Sequence, residues 1–241
     1  MAFDTIIRGG RVVTATGARQ ADIAIAGGRI AAIGSGLGAA GLVIEAAGRI
    51  VTPGGVDPHC HIEQLSGMGL MNADTFETAT AAAAHGGTTC AISFAAQMRG
   101  ERPAETVSAY AARAARGARI DHAFHLSVAD PAAPRFAEDI AALARQGHRS
   151  VKVFTTYNIG LTDAEILAVM DATGAAGALL CVHAENDAII ARERARLKAA
   201  GRTRPLDHAA SRPKLAEVEA VHRICRSAER TGAAVMIVHV T

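Results

Sequence analysis

Residues 150–186 read "SVKVFTTYNIGLTDAEILAVMDATGAAGALLCVHAEN". The segment opens on a short apolar run interrupted by Lys152 and closes on a second such run ending at His183. Runs this short, rich in Val, Phe and Leu, read as buried strands. Between them Thr162 and Glu165 stand at the spacing of a helix capping box, with Gly174 as the expected stop. Strand, helix and strand of these lengths make a βαβ unit, which demands a parallel sheet.

The same rhythm extends in both directions. Candidate strands "GVDPHCHI", "TTCAISFA", "HAFHLSV" and "AVMIVHV" alternate with helical segments such as "RPAETVSAYAARAARG", "PRFAEDIAALARQG" and "RPKLAEVEAVHRICRSAERTG", each ending at Gly. Asp74 and Glu77 read as another capping box, stopped at Gly86. Six such strands without a Gly-x-Gly-x-x-Gly turn after the first predict an α/β fold, the first six strands of a (β/α)8 TIM-type barrel, over residues 53–241. Before Pro53 the pattern differs. "FDTIIRGGRVV" and "ADIAIAGGRIAAIG" each break at Gly-Gly, a two-residue hairpin signal, and "LVIEAAGRIVTPG" repeats the theme. Residues 1–52 are therefore expected to supply antiparallel strands of a small β-sandwich, too few to bury a good core alone.

Half of the 241 residues are hydrophobic, so a sizeable core is available. The net charge of +2 argues against a dedicated nucleic-acid or membrane-surface role. "MAFDTIIRGG" carries Asp4 and does not read as a signal peptide, and no run approaches the roughly 18 apolar residues of a membrane span. Cys60, Cys90, Cys181 and Cys225 are scattered without Cys-x-x-Cys pairs, as expected for reduced thiols and a cytoplasmic location. "GSGLGAAG" has the wrong glycine spacing for a phosphate loop, and "ARERARLKAAGRTRP" reads as a solvated helix face.

In a barrel, catalytic groups come from the C-terminal ends of the strands. His59 and His61 fall near the end of the first barrel strand and, two residues apart, share a face. His183 ends the fifth and His239 the sixth. Lys152 lies inside the apolar fourth strand, where an unpaired ammonium is costly. Each alone has a bland reading: a hydrogen-bonded core histidine or a snorkelling lysine. Together they point to a metal centre, since neutral imidazole is the commonest metal ligand. A buried lysine with a lowered pKa can also add carbon dioxide to form a carbamate, whose two oxygens could bridge two metal ions.

"VDPHCHIE", "GGTT", "SVKVFTTY", "VHAEN", "SRP" and "IVHVT", in this order, resemble the dihydropyrimidinase/hydantoinase branch of the amidohydrolase superfamily. The resemblance implies two zinc ions, one held by His59 and His61, the other by His183 and His239, with carboxylated Lys152 bridging them. It implies that a metal-bridging hydroxide opens the cyclic amide of a dihydropyrimidine or 5-substituted hydantoin to an N-carbamoyl amino acid. It further implies Tyr157 as oxyanion donor, Leu65 and Phe154 as pocket residues, a small cyclic ureide or imide as substrate, and a homotetramer. The family's aspartate at the end of the eighth strand has no counterpart before Thr241. The expectation is that the chain is the N-terminal portion of a longer protein, or else an inactive truncation. A sibling allantoinase or dihydroorotase would share the ligands, and a scaffold-type homologue would have lost them. His183-Ala184-Glu185 is also the His-x-Glu of zinc nucleoside deaminases, but no Pro-Cys-x-x-Cys follows it.

Overall fold

Gly9 and Gly10 do not turn the chain. Extended backbone continues through them as β1 (Phe3–Thr14), and the glycines form a β-bulge. Ile7 pairs with Ile23 and Gly10 with Ala21, so β1 carries one extra residue there. Gly9 sits at φ +68°, and its N–H donates to Asp22 Oδ1 at 2.8 Å. The second Gly-Gly does make the expected turn. Gly27 and Gly28, at φ +58° and +73°, join β2 (Gly17–Ala26) to β3 (Arg29–Gly34), the left-handed pair that a type I′ hairpin requires.

The computed structural model describes residues 3–66 and 69–240. Met1, the Gly67–Met68 part of the loop after His61, and Thr241 of "IVHVT" lie outside the described residues. The chain divides into two compact units, Met1–Gly55 and Val56–Thr241. The first is a five-stranded sheet in the order β3-β2-β1-β4, completed by β4 (Ala40–Glu45) and by β5 (Ile50–Val51), which also pairs with β1. The expected all-antiparallel arrangement is corrected here, because β4 and β5 run parallel to β1. Hairpins force antiparallel pairing only between the strands they join. After β3 the chain crosses to the far edge of β1 and arrives in the same direction. Val12, Ala21 and Ile23 form the small buried cluster of this unit.

In the second unit the strands are β6 (Gly55–Cys60), β7 (Thr88–Ala96), β8 (Asp121–Ser127), β9 (Ser150–Phe154), β10 (Leu179–His183) and β11 (Val235–Ile237). The helices are α1 (Phe76–His85), α2 (Pro103–Ala115), α3 (Phe136–Arg145), α4 (Asp163–Ala176), α5 (Asp187–Ala199) and α6 (Lys214–Thr231). The sheet order is β11-β10-β9-β8-β7-β6, and the pairings from β7 to β11 are parallel. A doubly wound sheet reverses direction from its first strand, whereas this one never does. Sequential addition is the barrel order, and the sheet is curled accordingly. Flat strands about 4.8 Å apart would leave its edges about 24 Å apart, yet the rings of His59 on β6 and His239 just past β11 are 5.3 Å apart. Phe76, Phe124, Leu126, Ile140, Ile166 and Ile224 belong to the main core.

Two helix signals moved. α1 is capped by Thr75 and Thr78, with Thr75 Oγ1 accepting from Thr78 N at 3.3 Å. Glu77 is instead paired with Arg119 at 2.5 Å, so the expected Asp74–Glu77 box does not form. α4 keeps the Thr162–Glu165 box but runs past Gly174 to a left-handed cap at Gly177, φ +62°. Gly174 retains right-handed helical backbone, and the αL position that ends a helix is three residues on.

Candidate functional site

β9 delivers Lys152 to the interior, where it is 1% exposed. Its Nζ lies 3.5 Å from His239 Nε2, and the rings of Phe94 and Phe154 stand 5.3 and 4.9 Å away. No carboxylate pairs with Lys152 among the described residues. Burial pushes its ammonium from the ordinary 10.5 down to about 8. This is a buried cation held against two aromatic faces, and among the described residues it lacks the counter-ion that such burial normally demands.

Four histidines lie in the same region, three of them within electrostatic reach of Lys152. His59 and His61 both lie against Phe94, at ring separations of 4.7 and 4.8 Å, and 5.8 Å from each other. His183 and His239 approach at 4.7 Å between rings, with His183 Nδ1 3.4 Å from His239 Nε2. His61 Nδ1 lies 2.8 Å from Gln64 Oε1, within hydrogen-bond distance. His59 is largely exposed, but desolvation of its packed face, followed by repulsion from Lys152 and the neighbouring histidines, lowers its pKa to about 4. Burial first, then the charge of Lys152, lowers His239. His183 is lowered by burial, against the opposing pull of Glu185. Imidazoles in this state are neutral at pH 7, the form that binds metal.

Among the described residues no three His, Cys, Asp or Glu side chains converge on a point that would hold a metal ion. The imidazoles form a chain, His61 to His59 at 5.8 Å, His59 to His239 at 5.3 Å and His239 to His183 at 4.7 Å between rings, with Lys152 Nζ beside His239. An ammonium has no lone pair to share. As an ammonium Lys152 is no ligand, and the four imidazoles are the donors that this group offers a metal ion.

Tyr157 follows β9 in left-handed backbone, φ +69°, a conformation that a bulky residue adopts at a cost. Its ring is 5.2 Å from His183 and 6.1 Å from Phe154, and the Arg212 guanidinium lies over it at 5.0 Å. Tyr157, His183, Glu185, Arg212 and His239 line a cavity of about 370 Å³. Phe154 is 5.5 Å from the His183 ring. Leu65 is not part of this group. It bridges to Met71 and lines a separate cavity of about 300 Å³ with Ala96, Met98, Tyr110 and Arg113.

Four neighbours had no role assigned from the sequence. Phe94 is the plate beneath His59 and His61, and it also touches His125 at 4.9 Å. His125 joins β8 to its neighbours, Nε2 donating to the Pro58 carbonyl at 2.9 Å with Nδ1 2.5 Å from Ser150 Oγ. Glu185 and Arg212 form an ion pair next to His183. Strand alternation places Phe94 and His125 on an inward face, a signal present in the sequence. The Glu185–Arg212 pairing, 27 residues apart, has no local signature.

No protein-family model matches the chain. It is 42% identical over 242 residues to a D-hydantoinase of Ralstonia pickettii, covering 99% of this chain and 52% of that protein. A D-hydantoinase of Rhizobium radiobacter is 41% identical, with the same coverage. A solved D-hydantoinase structure superposes with a TM-score of 0.94 at 42% identity, over 99% of this chain and 52% of that one. A dihydropyrimidinase from Brevibacillus agri gives 0.91 at 36% identity, over 98% and 52%. The chain thus spans about half the length of the curated relatives it matches. No helix among the described residues is long and apolar enough to cross a membrane. Over nearly its whole length the chain is thus similar, in sequence and in fold, to about half the length of the hydantoinases and dihydropyrimidinases it matches.

Proposed function

We infer that the chain carries the ligand-bearing part of a metal-dependent cyclic-amide hydrolase, acting on 5-substituted hydantoins or dihydropyrimidines and yielding N-carbamoyl amino acids. The observation that carries this reading is Lys152, buried, without a carboxylate partner among the described residues, and 3.5 Å from His239 Nε2. A lysine kept for packing alone would be better replaced by an apolar residue. With its pKa near 8, a fraction of the amine is neutral at pH 7 and can attack carbon dioxide. The N–C bond forms, one proton leaves the nitrogen, and the product is a carbamate with two oxygen ligands. His59 and His61 would hold one zinc ion, His183 and His239 the other, with the carbamate between them. When bound, the metal pair supplies a water ionised near neutral pH and a Lewis acid for the carbonyl. Tyr157 offers its hydroxyl to the oxyanion that develops on that carbonyl, and its costly backbone conformation fits a residue kept for its direction. Phe154 forms an apolar wall beside the His183 ring.

An allantoinase or dihydroorotase would use the same five ligands, and the relatives' names favour hydantoins. A scaffold-type homologue is disfavoured, because all five ligand positions are filled. The proposal extends to a cytoplasmic homotetramer, a boundary between a small β domain (1–52) and a barrel portion (53–241), and Leu65 as a pocket residue of the assembled protein.

Zinc content per chain, measured by elemental mass spectrometry after chelator-free purification, tests the reading. About two ions per chain are expected from this donor set, and Lys152→Ala should lose them. Zinc that is unchanged in the variant would reject the bridging carbamate.

A further inference from the structure

We propose that Glu185 and Arg212 are a positioning pair that holds His183 in the tautomer protonated on Nε2 and keeps Tyr157 beside it. His183 Nε2 lies 2.7 Å from Glu185 Oε2, and the Arg212 guanidinium bonds the same oxygen. A carboxylate paired with arginine is ionised and only accepts, so the imidazole proton must sit on Nε2. The lone pair then resides on Nδ1, the nitrogen that faces His239 at 3.4 Å. Without an acceptor at Nε2, the ring is free to protonate Nδ1 or to turn over.

Glu185 is held from two directions. Its backbone N–H donates to Thr155 Oγ1 at 2.7 Å, and the Thr155 hydroxyl lies within hydrogen-bond reach of the carbonyls of Glu185 and His183 at 2.7 and 3.1 Å. The end of β10 is thereby sewn to the end of β9, and the Glu185 side chain has a fixed origin. Arg212, arriving from the turn before α6, fixes the carboxylate itself. The same guanidinium covers the Tyr157 ring at 5.0 Å. One arginine therefore sets both the histidine's proton and the tyrosine's ring, and the planar guanidinium suits both tasks where an ammonium would not. His183, Glu185, Arg212 and Tyr157 form one connected unit on three segments of the chain.

The inference rests on the proposed function only in treating the His183 lone pair as a zinc ligand; the tautomer itself is independent of that reading. The test is long-range ¹H–¹⁵N NMR of the imidazoles in the metal-free 241-residue chain at pH 8, with His183 assigned by comparison with His183→Asn. The expected wild-type pattern is Nε2–H at His183. In Glu185→Gln, whose amide can donate to Nε2, the pattern should move toward Nδ1–H. Arg212→Met leaves the carboxylate in place but unclamped, and should broaden the His183 signals and shift the Tyr157 ring resonances. Zinc affinity, by competition with a chelator, should fall by about 10- to 100-fold in Glu185→Gln, the range typical for loss of a partner behind a ligand histidine. A wild-type His183 already mixed between tautomers, or one unchanged in Glu185→Gln, overturns the positioning role. A tautomer that moves as expected in a chain that binds no zinc upholds the positioning pair and rejects the metal reading instead.

Discussion

Replacing Lys152 by Met should stabilise the metal-free chain while abolishing its affinity for zinc. Met nearly matches the volume of the lysine stem, so it leaves little cavity. It removes a buried cation whose proton affinity is depressed from 10.5 to about 8. At about 1.36 kcal/mol per tenfold change in affinity, the folded state bears a cost on the order of 3 kcal/mol. The direction with pH follows from linkage. Between about pH 8 and 10.5 the unfolded chain binds more protons at this residue than the folded one, so wild-type stability rises through that window. Below about 8 both states are protonated and the full cost persists. Urea unfolding in chelator and carbon-dioxide-free buffer measures it. With an m-value of roughly 2–3 kcal/mol per M, the midpoint of Lys152→Met should lie about 1 M above wild type at pH 7. Most of that gain should disappear at pH 10.5, where the unfolded lysine is itself largely neutral. A variant less stable than wild type at pH 7, or a gain equal at both pH values, would refute the view of Lys152 as an uncompensated buried cation.

The lowered histidines make a separate prediction at acid pH. Unfolded imidazoles take up protons near the ordinary 6.5, whereas folded His59 does so only near 4. The unfolded chain thus binds more protons in between, and the metal-free melting temperature should fall as pH drops from 6.5 toward 4, less steeply in His59→Gln; parallel slopes would remove His59 from the effect. In a zinc-loaded, turning-over protein, Tyr157→Phe should lower kcat for ring opening by roughly 10²-fold at unchanged zinc content; an unaffected kcat would exclude the hydroxyl from oxyanion stabilisation. Thr162→Ala removes the oxygen that accepts from Glu165 N at 3.3 Å, and should cost about 1 kcal/mol in denaturant unfolding.

The sequence by itself determined the second unit's strand and helix succession, because apolar strand and capped helix are local patterns with periods of their own. All six strand segments and the Thr162–Glu165 cap lie where composition and spacing place them. Local signals failed where a distant residue competed for them. Glu77 was taken by Arg119, so Thr75 and Thr78 capped α1 instead. Gly9-Gly10 became a bulge rather than a turn, where the flanking residues of β1 pair on along β2 and Asp22 takes the Gly9 N–H. The parallel course of β4 and β5 was likewise invisible, since strand direction depends on which edge the chain reaches. At the site, the histidines and Lys152 could be nominated from their positions on the barrel strands, a positional rule, whereas Tyr157 was implied only by the family resemblance. Only the curled sheet could bring His59 to His239, residues 59 and 239 of the chain, within 5.3 Å between rings. Only folding could set Arg212 between Glu185 and Tyr157, because that pairing depends on the path of the segment before α6 rather than on any periodicity.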